Sequence, residues 1–471
     1  MRRILPAFLC ALGLFFSAQL HAELRYIFYF IGDGMGMGHV LTTEMYNQAA
    51  NPEGRQLMMT KFPVAGQVKT SSASSPVTDS AAAGTALATG TKTRNGMIGV
   101  APDTTALKSL AMQLMEDGFG IGLVTSNSPD DATPASFYAH SASRSAYYDI
   151  DCQAATSSVD FLGGANLRGL KDKEHNLTDL PERFARTNTA IAYGLDELAQ
   201  VKQPKVVLLN HNRELKNTLG YAIDSLENTL SLTQMTAACM QWLESHHPES
   251  FFMMVECGIL DWAAHGNDAA TVIHEVNRLD EAVEMAVAFY LQHPDETLIV
   301  VTADHDTGGM TLGNPTLKYQ AHLEYLALQR VSKDAFSDAV KAMLRSRRAY
   351  RWEDMEEMLR RDFGFWDKVP VSEKETAELK EMFEKMFSGQ ETENQKTLYA
   401  YYNSFAVKVL SIMNDHAGVG WISLDHTGNL VPVFAMGVGA ERFGRFNDNT
   451  DIPKTILDIV DKSITRPKII K

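Results

Sequence analysis

Cysteine is scarce: the chain has four in 471 residues. Cys10 lies in an apolar N-terminal run, which leaves Cys152, Cys239 and Cys257 for the folded part. An odd number cannot all pair, so at most one disulfide forms and a disulfide-framework fold is excluded. With no CxxC and no Cys/His cluster, any metal site must be built from oxygen and imidazole. Basic residues are also in short supply, 43 Lys and Arg against 58 Asp and Glu, for a formal net charge of −15. This balance argues against nonspecific nucleic-acid binding and adhesion to anionic lipid, which both draw on surplus Lys and Arg. No apolar run after the N-terminus approaches the roughly 20 residues that a membrane-spanning helix needs. Internal repeats and low-complexity segments are absent.

What is present is globular: 45% hydrophobic residues with 32 Gly and 16 Pro, enough to bury a large core. Arg2 and Arg3 precede an apolar run over 4–18 and a Leu20-His21-Ala22 end. That pattern reads as a Sec-type signal peptide over 1–22, so the protein is expected to be exported, periplasmic or secreted. Cys10 lacks the small-residue context of a lipoprotein site. Residues 23–471 read as a single domain. Apolar runs at 26–31, 121–125, 206–209, 251–255, 298–302 and 431–436 have the length and continuity of buried strands. Segments 106–117, 268–291 and 453–461 read as helices from their period and end signals. Strands alternating with helices predict an α/β fold with a large, mostly parallel central sheet and helices on both faces. The stretch 318–395 is charged, helical and free of strand signals, and is expected to be an inserted helical subdomain.

Polar residues collect where those strands end. Asp33 follows the first strand in IGDGMG; Glu256, Asp261 and His265 fall in VECGILDWAAHG; Asp304 and His305 fall in TADHDTGG. Sites in open parallel sheets lie outside the carboxyl ends of the strands. One Asp there is an ordinary cap or turn residue, but several crowded carboxylates repel and raise one another's pKa. Divalent cations are the simplest compensation. Mixed Asp and His sets suit zinc, and oxygen-only sets suit magnesium. His426, in LDHTGNLVPVF, precedes a strand and on its own reads as a surface or capping residue. In SSPVTDSAAAGTALATG, Asp79 and Ser80 open a helix of small residues. A helix N-terminus suits an anion, and a hydroxyl there beside a dication could attack phosphorus. Taken in isolation, the same dipeptide reads first as a plain N-cap.

The segments IGDGMG, TDSAAAGTALATGTKTRNGMIGV, DDATPASFYAHSASR, VECGILDWAAHG, TADHDTGG and DHTG occur in this order within 26–460. Together they resemble the metal-dependent alkaline phosphatases. The resemblance implies that Ser80 is the nucleophile of a covalent phosphoserine intermediate. It implies Asp261, His265 and His426 as ligands of a first zinc, which activates water and stabilises the leaving oxygen. Asp33, Asp304 and His305 match the ligands of a second zinc, and Asp33 also reaches a third, magnesium site with Asp131, Thr133 and Glu256. Arg144 matches the guanidinium that clamps two phosphate oxygens, a task its planar fork suits. The implied reaction is a two-step in-line displacement on a broad range of small phosphate monoesters. Activity should rise with pH, because metal ligands must be deprotonated.

Some positions depart from the family pattern. Trp262 stands beside Asp261 where the best-known bacterial members carry lysine and others histidine. It is expected to contact substrate but to hold product less tightly, since an indole brings no charge. Thr307 replaces a histidine of some members and is assigned no role. Asp131 is acidic where many relatives have histidine, which favours magnesium. His39, His140, His274 and His416 are expected to be structural or surface residues. Cys257 should pack in the core, and Lys92 and Arg94 should be solvated or cap the sheet. Two rival readings remain. A phosphodiesterase of the same superfamily would keep both zinc sets but tend to lack an Arg144-type clamp. An exported metal- or phosphate-binding protein would have no use for Ser80. Relatives are commonly homodimers.

Overall fold

All six apolar runs are strands of one ten-stranded sheet in the computed structural model. The structure describes residues 23–50, 55–211, 217–224, 229–346, 348–389 and 394–463. The expected signal peptide, 1–22, lies outside the described residues. In chain order the strands are β1 (Tyr26–Gly32), β2 (Val64–Lys69), β3 (Gly120–Thr125), β4 (Phe161–Gly164), β5 (Thr189–Tyr193), β6 (Lys205–Leu209), β7 (Phe251–Cys257), β8 (Thr297–Ala303), β9 (Val431–Gly437) and β10 (Phe446–Asp448). Across the sheet they run β10-β2-β9-β8-β1-β7-β3-β4-β6-β5. β1, β3, β7 and β8 are buried along their whole length, which is why they read as near-continuous apolar runs. Helices pack around the sheet, the long helix Ala269–Tyr290 against β1, β7 and β8.

One strand breaks the parallel pattern. β9 pairs antiparallel with both β8 and β2, with Val433 opposite Thr302 and Gly437 opposite Leu298. Its amino end therefore lies level with the carboxyl ends of the parallel strands. Those ends are aligned: Ile31 sits opposite both Glu256 and Thr302. The loops after β1, β7 and β8 and the approach to β9 thus open on one edge.

The helix expected over 106–117 is shorter, Leu110–Glu116, because Ser109 caps it by accepting from the Met112 amide at 3.1 Å. Ala106 instead bridges to Val100 in an extended pair. The helices Ala269–Tyr290 and Asp451–Ser463 match the other two expected segments. Within 318–395 the described residues form helices Lys333–Arg345, Trp352–Phe363 and Glu373–Phe387, and the stretch ends in a small hairpin that pairs Gln395–Lys396 with Tyr401–Tyr402. Cys152, Cys239 and Cys257 are free thiols, so the one disulfide left open by the sequence does not form among them. Cys257 is buried, as expected. Lys92 bonds Asn449 and pairs with Asp448 at 3.0 Å, tying down the edge strand β10.

Candidate active site

Ser80 and Asp79 divide the two duties that the sequence left open. Asp79 is the N-cap of the helix Ser80–Thr89, its carboxylate accepting from the amides of Ala82 at 3.0 Å and Gly96 at 2.9 Å. The buried Ser80 hydroxyl is thereby released from capping and lies 3.2 Å from His305 Nε2. Arg144 stands beside it, donating to Asp79 and to Asp131, each at 3.3 Å. Burial opposes the charge on Arg144, but Tyr399, Asp131, Asp79 and Asp33 outweigh it and hold its pKa above the usual guanidinium value. A cation fixed by two carboxylates beside a helix N-terminus is a ready place for a phosphoryl group.

Two ligand sets converge on the same point. Asp33, Asp304 and His305 form one group and Asp261, His305 and His426 another, the ligand atoms in each lying within 4.8 Å of one another. His305 belongs to both, its ring stacked on that of His426 with centroids 3.6 Å apart. His265 joins from the side, with Nε2 3.4 Å from Asp261. The sequence expectation paired His265, not His305, with Asp261 and His426. His426 reaches this edge because β9 runs backwards, and the pairing of His426 with Thr307 pins it there.

The tautomers follow from the outer hydrogen bonds. His426 Nδ1 donates to the Thr78 carbonyl at 2.9 Å and His265 Nδ1 to the Leu424 carbonyl, so each turns an Nε2 lone pair inward. Five buried ligand-type atoms have no hydrogen-bond partner: Asp33 Oδ1, Asp261 Oδ2, Asp304 Oδ2, His265 Nε2 and His426 Nε2. Buried polar atoms are rarely left unpaired, and five converging on one point fit bound cations. The electrostatics agree. Burial, and then the charges of Asp304 and Asp261, push Asp33 far above the usual carboxylate range. Burial and the neighbouring His305 push His426 down to about 4, which keeps it neutral and able to ligate. Burial works against a proton on His305, but Asp304 outweighs it and raises its pKa; positive charge is wanted at this junction.

The third expected set also lies together: Glu256 feels Thr133 as a hydrogen-bond partner and Asp131 as a neighbouring charge, and the buried Thr133 Oγ1 has no other hydrogen-bond partner. Asp131 accepts from Arg168 at 2.7 Å as well as from Arg144, and although burial opposes its charge the two guanidinia hold its pKa down. They occupy the carboxylate that a cation would otherwise draw in. Thr133 lies in the short helix that Asp131 caps, and both are buried. Glu256 accepts from Thr125, and burial pushes its pKa up to about 8.

The alkaline phosphatase family model matches residues 24–163 and 197–461. The chain belongs to the alkaline phosphatase family. Alkaline phosphatase 4 of Bacillus subtilis is 29% identical over 452 residues, covering 94% of this chain and 90% of its own. A cold-active alkaline phosphatase from the psychrophile Shewanella sp. superposes with a TM-score of 0.77 at 27% identity, covering 92% of this chain and 99% of its own. That of Thermus thermophilus gives a TM-score of 0.75 at 25% identity over 98% and 97% of the two chains. The enzyme class is therefore phosphoric monoester hydrolase.

Within this alkaline phosphatase, the structure adds residues that the sequence left without a role. Thr307 donates its hydroxyl proton to Asp261 and so accepts from His305 Nδ1 at 3.2 Å, joining the two ligand sets. Arg168, its guanidinium 4.5 Å from the Tyr147 ring centroid, holds Asp131. Gly34 turns at φ +71°, and a Cβ there would lie 2.8 Å from both Asp261 Oδ1 and Thr307 Oγ1, which accounts for the second glycine of the GDG motif. A local sequence signal existed only for Gly34. Among the histidines set aside, His39 is buried 3.6 Å from Asp306, His140 bonds the Leu107 carbonyl and His416 pairs with Glu375. None of these three is in either ligand group.

Thr307→Val keeps the shape and removes the relay between the two sets. Loss of such an outer partner costs about 10- to 100-fold in metal affinity or activity. Zinc titration of the variant, followed by activity and by calorimetry, should show weakened binding in that range.

Proposed function

We propose that this alkaline phosphatase is exported and hydrolyses a broad range of phosphate monoesters through a phosphoserine at Ser80. The observation that carries the reading is the Ser80 hydroxyl, 3.2 Å from His305, where the two groups of ligand atoms meet. Export rests on the 1–22 pattern of basic, apolar and small residues. Asp261, His265 and His426 would hold one zinc, Asp33, Asp304 and His305 a second, with magnesium near Glu256, Thr133 and Asp131. When bound, these cations supply Lewis acidity and offset charge building on oxygen.

The chain's own groups do the rest. Asp79 and Asp131 aim the Arg144 fork at two nonbridging phosphoryl oxygens, which fixes phosphorus in front of Ser80. Ser80 replaces the alcohol on phosphorus, and water then opens the phosphoserine to release phosphate. Little of this recognises the alcohol, which supports broad specificity. A monoester offers Arg144 one more free oxygen than a diester does, which favours monoesterase over diesterase action.

The test compares an aryl phosphate monoester with the matching diester, with zinc and magnesium present, across pH. Monoester turnover should dominate and rise with pH. Absent monoester turnover, or a preference for the diester, overturns the reading.

A further inference from the structure

Ser80 lies beside His305, the residue that both ligand groups share. Displacement in line sends the departing oxygen to the side of phosphorus away from Ser80, and Asp261 with His265 stands on the other side of the shared His305 set. Directly after Asp261, on the helix Ile259–His265, comes Trp262. Its indole stacks flat on Tyr399, with centroids 4.5 Å apart and planes within 10°. The Tyr399 ring also stands edge-on to His265 at 5.3 Å. Tyr399 is brought in by the hairpin that pairs Gln395–Lys396 with Tyr401–Tyr402, remote in sequence from every motif. Both rings are only partly buried, and both border a cavity of about 260 Å³ that Tyr221 and Tyr402 also line. A dry cavity of about 150 Å³ suffices for benzene, so one aromatic ring fits.

We propose that Trp262 and Tyr399 form a slot for the leaving group of aryl phosphate monoesters, with Tyr399 the specificity-determining residue. The inference rests on the phosphomonoesterase reading above. As the bond from Ser80 Oγ to phosphorus forms, the bond from phosphorus to the aryl oxygen breaks. The electron pair leaves on the phenolic oxygen, and the serine proton passes to solvent. The slot receives the flat ring beside that oxygen. An aliphatic ring of similar size has no π face to stack and gains less there.

Phenyl phosphate and cyclohexyl phosphate are compared on the wild type, Tyr399→Phe and Tyr399→Ala, with phosphocholine as a third substrate because Asp334 and Asp338 also border the cavity. Tyr399→Ala should lower the phenyl-to-cyclohexyl ratio of kcat/KM about tenfold, the scale of one lost aromatic contact. Tyr399→Phe should keep the wild-type ratio. A uniform fall on all three substrates means a merely structural role and overturns the slot. So does an unchanged phenyl-to-cyclohexyl ratio, and a fall confined to phosphocholine assigns the cavity to organic cations instead. If the wild type turns over no monoester at all, the underlying phosphatase reading fails, and the slot with it.

Discussion

Replacing Ser80 with alanine should lower kcat on a phosphate monoester by about four orders of magnitude or more, the range in which removing a nucleophile that acts within a unit falls. The protein should remain folded. Ser80 is the first residue of its helix, but Asp79 makes the capping bond, and alanine is the best helix former. The small side chains that follow, from Ala81 to Ala83, are already buried without polar demands. The serine oxygen's recorded hydrogen bond is to His305, so its loss removes chemistry and not scaffold. Two measurements check this together. Thermal unfolding of Ser80→Ala should match the wild type, and intact mass after acid quench should show a phosphorylated species in the wild type alone. Unchanged turnover in the variant would remove Ser80 from the reaction.

Chelation should abolish turnover and also weaken the fold. Asp33, Glu256, Asp261 and Asp304 are buried close together, and stripping the cations leaves charge that the interior cannot compensate. A ligand held at a thousand times its dissociation constant contributes about 4 kcal/mol, so the melting temperature should fall by several degrees. The loss has a pH signature. Glu256, raised by burial to about 8, favours the fold in its protonated form. Its contribution is full below the ordinary glutamate pKa and is lost as pH rises through about 8. Asp33, raised in the same direction by burial and by Asp304, adds to that trend. Chelated protein should therefore lose stability from mildly acidic toward alkaline pH, with a flatter profile when metals are restored. A melting temperature indifferent to chelator would argue that the cluster holds no structural cation.

Much of this architecture is legible in composition because a strand buried on both faces must be apolar throughout. Five of the six runs found that way form the contiguous stretch β9-β8-β1-β7-β3, and the sixth, β6, lies beyond β4. β2, with alternating exposure, β5 and the three-residue β10 escaped notice; they lie toward the edges, where burial is incomplete and polar residues are tolerated. The four-residue β4, half glycine, carried too little apolar pattern. Strand direction left no mark either. Apolar content is the same whichever way a strand runs, so His426 looked like a residue at the wrong end of a strand until the pairing of β9 with β8 turned it around. The candidate ligands set in motifs beside strand ends could be named one by one from their motifs. Thr307, Arg168 and Tyr399 could not, since each matters through a partner far along the chain.

The reversed β9 also sets an order of assembly. Among the described residues β2 pairs with β9 and β10 alone, so residues 64–69, synthesised early, meet their described sheet partners once residues 431–437 arrive. β2, just before the segment that leads to Ser80, and the backbone that delivers His426 enter the sheet through the same late strand. Contacts this distant in sequence form slowly. A ribosome that still holds the last tenth or so of the chain therefore withholds His426 and the strand that positions it, and the candidate metal centre is among the last parts of the molecule to close.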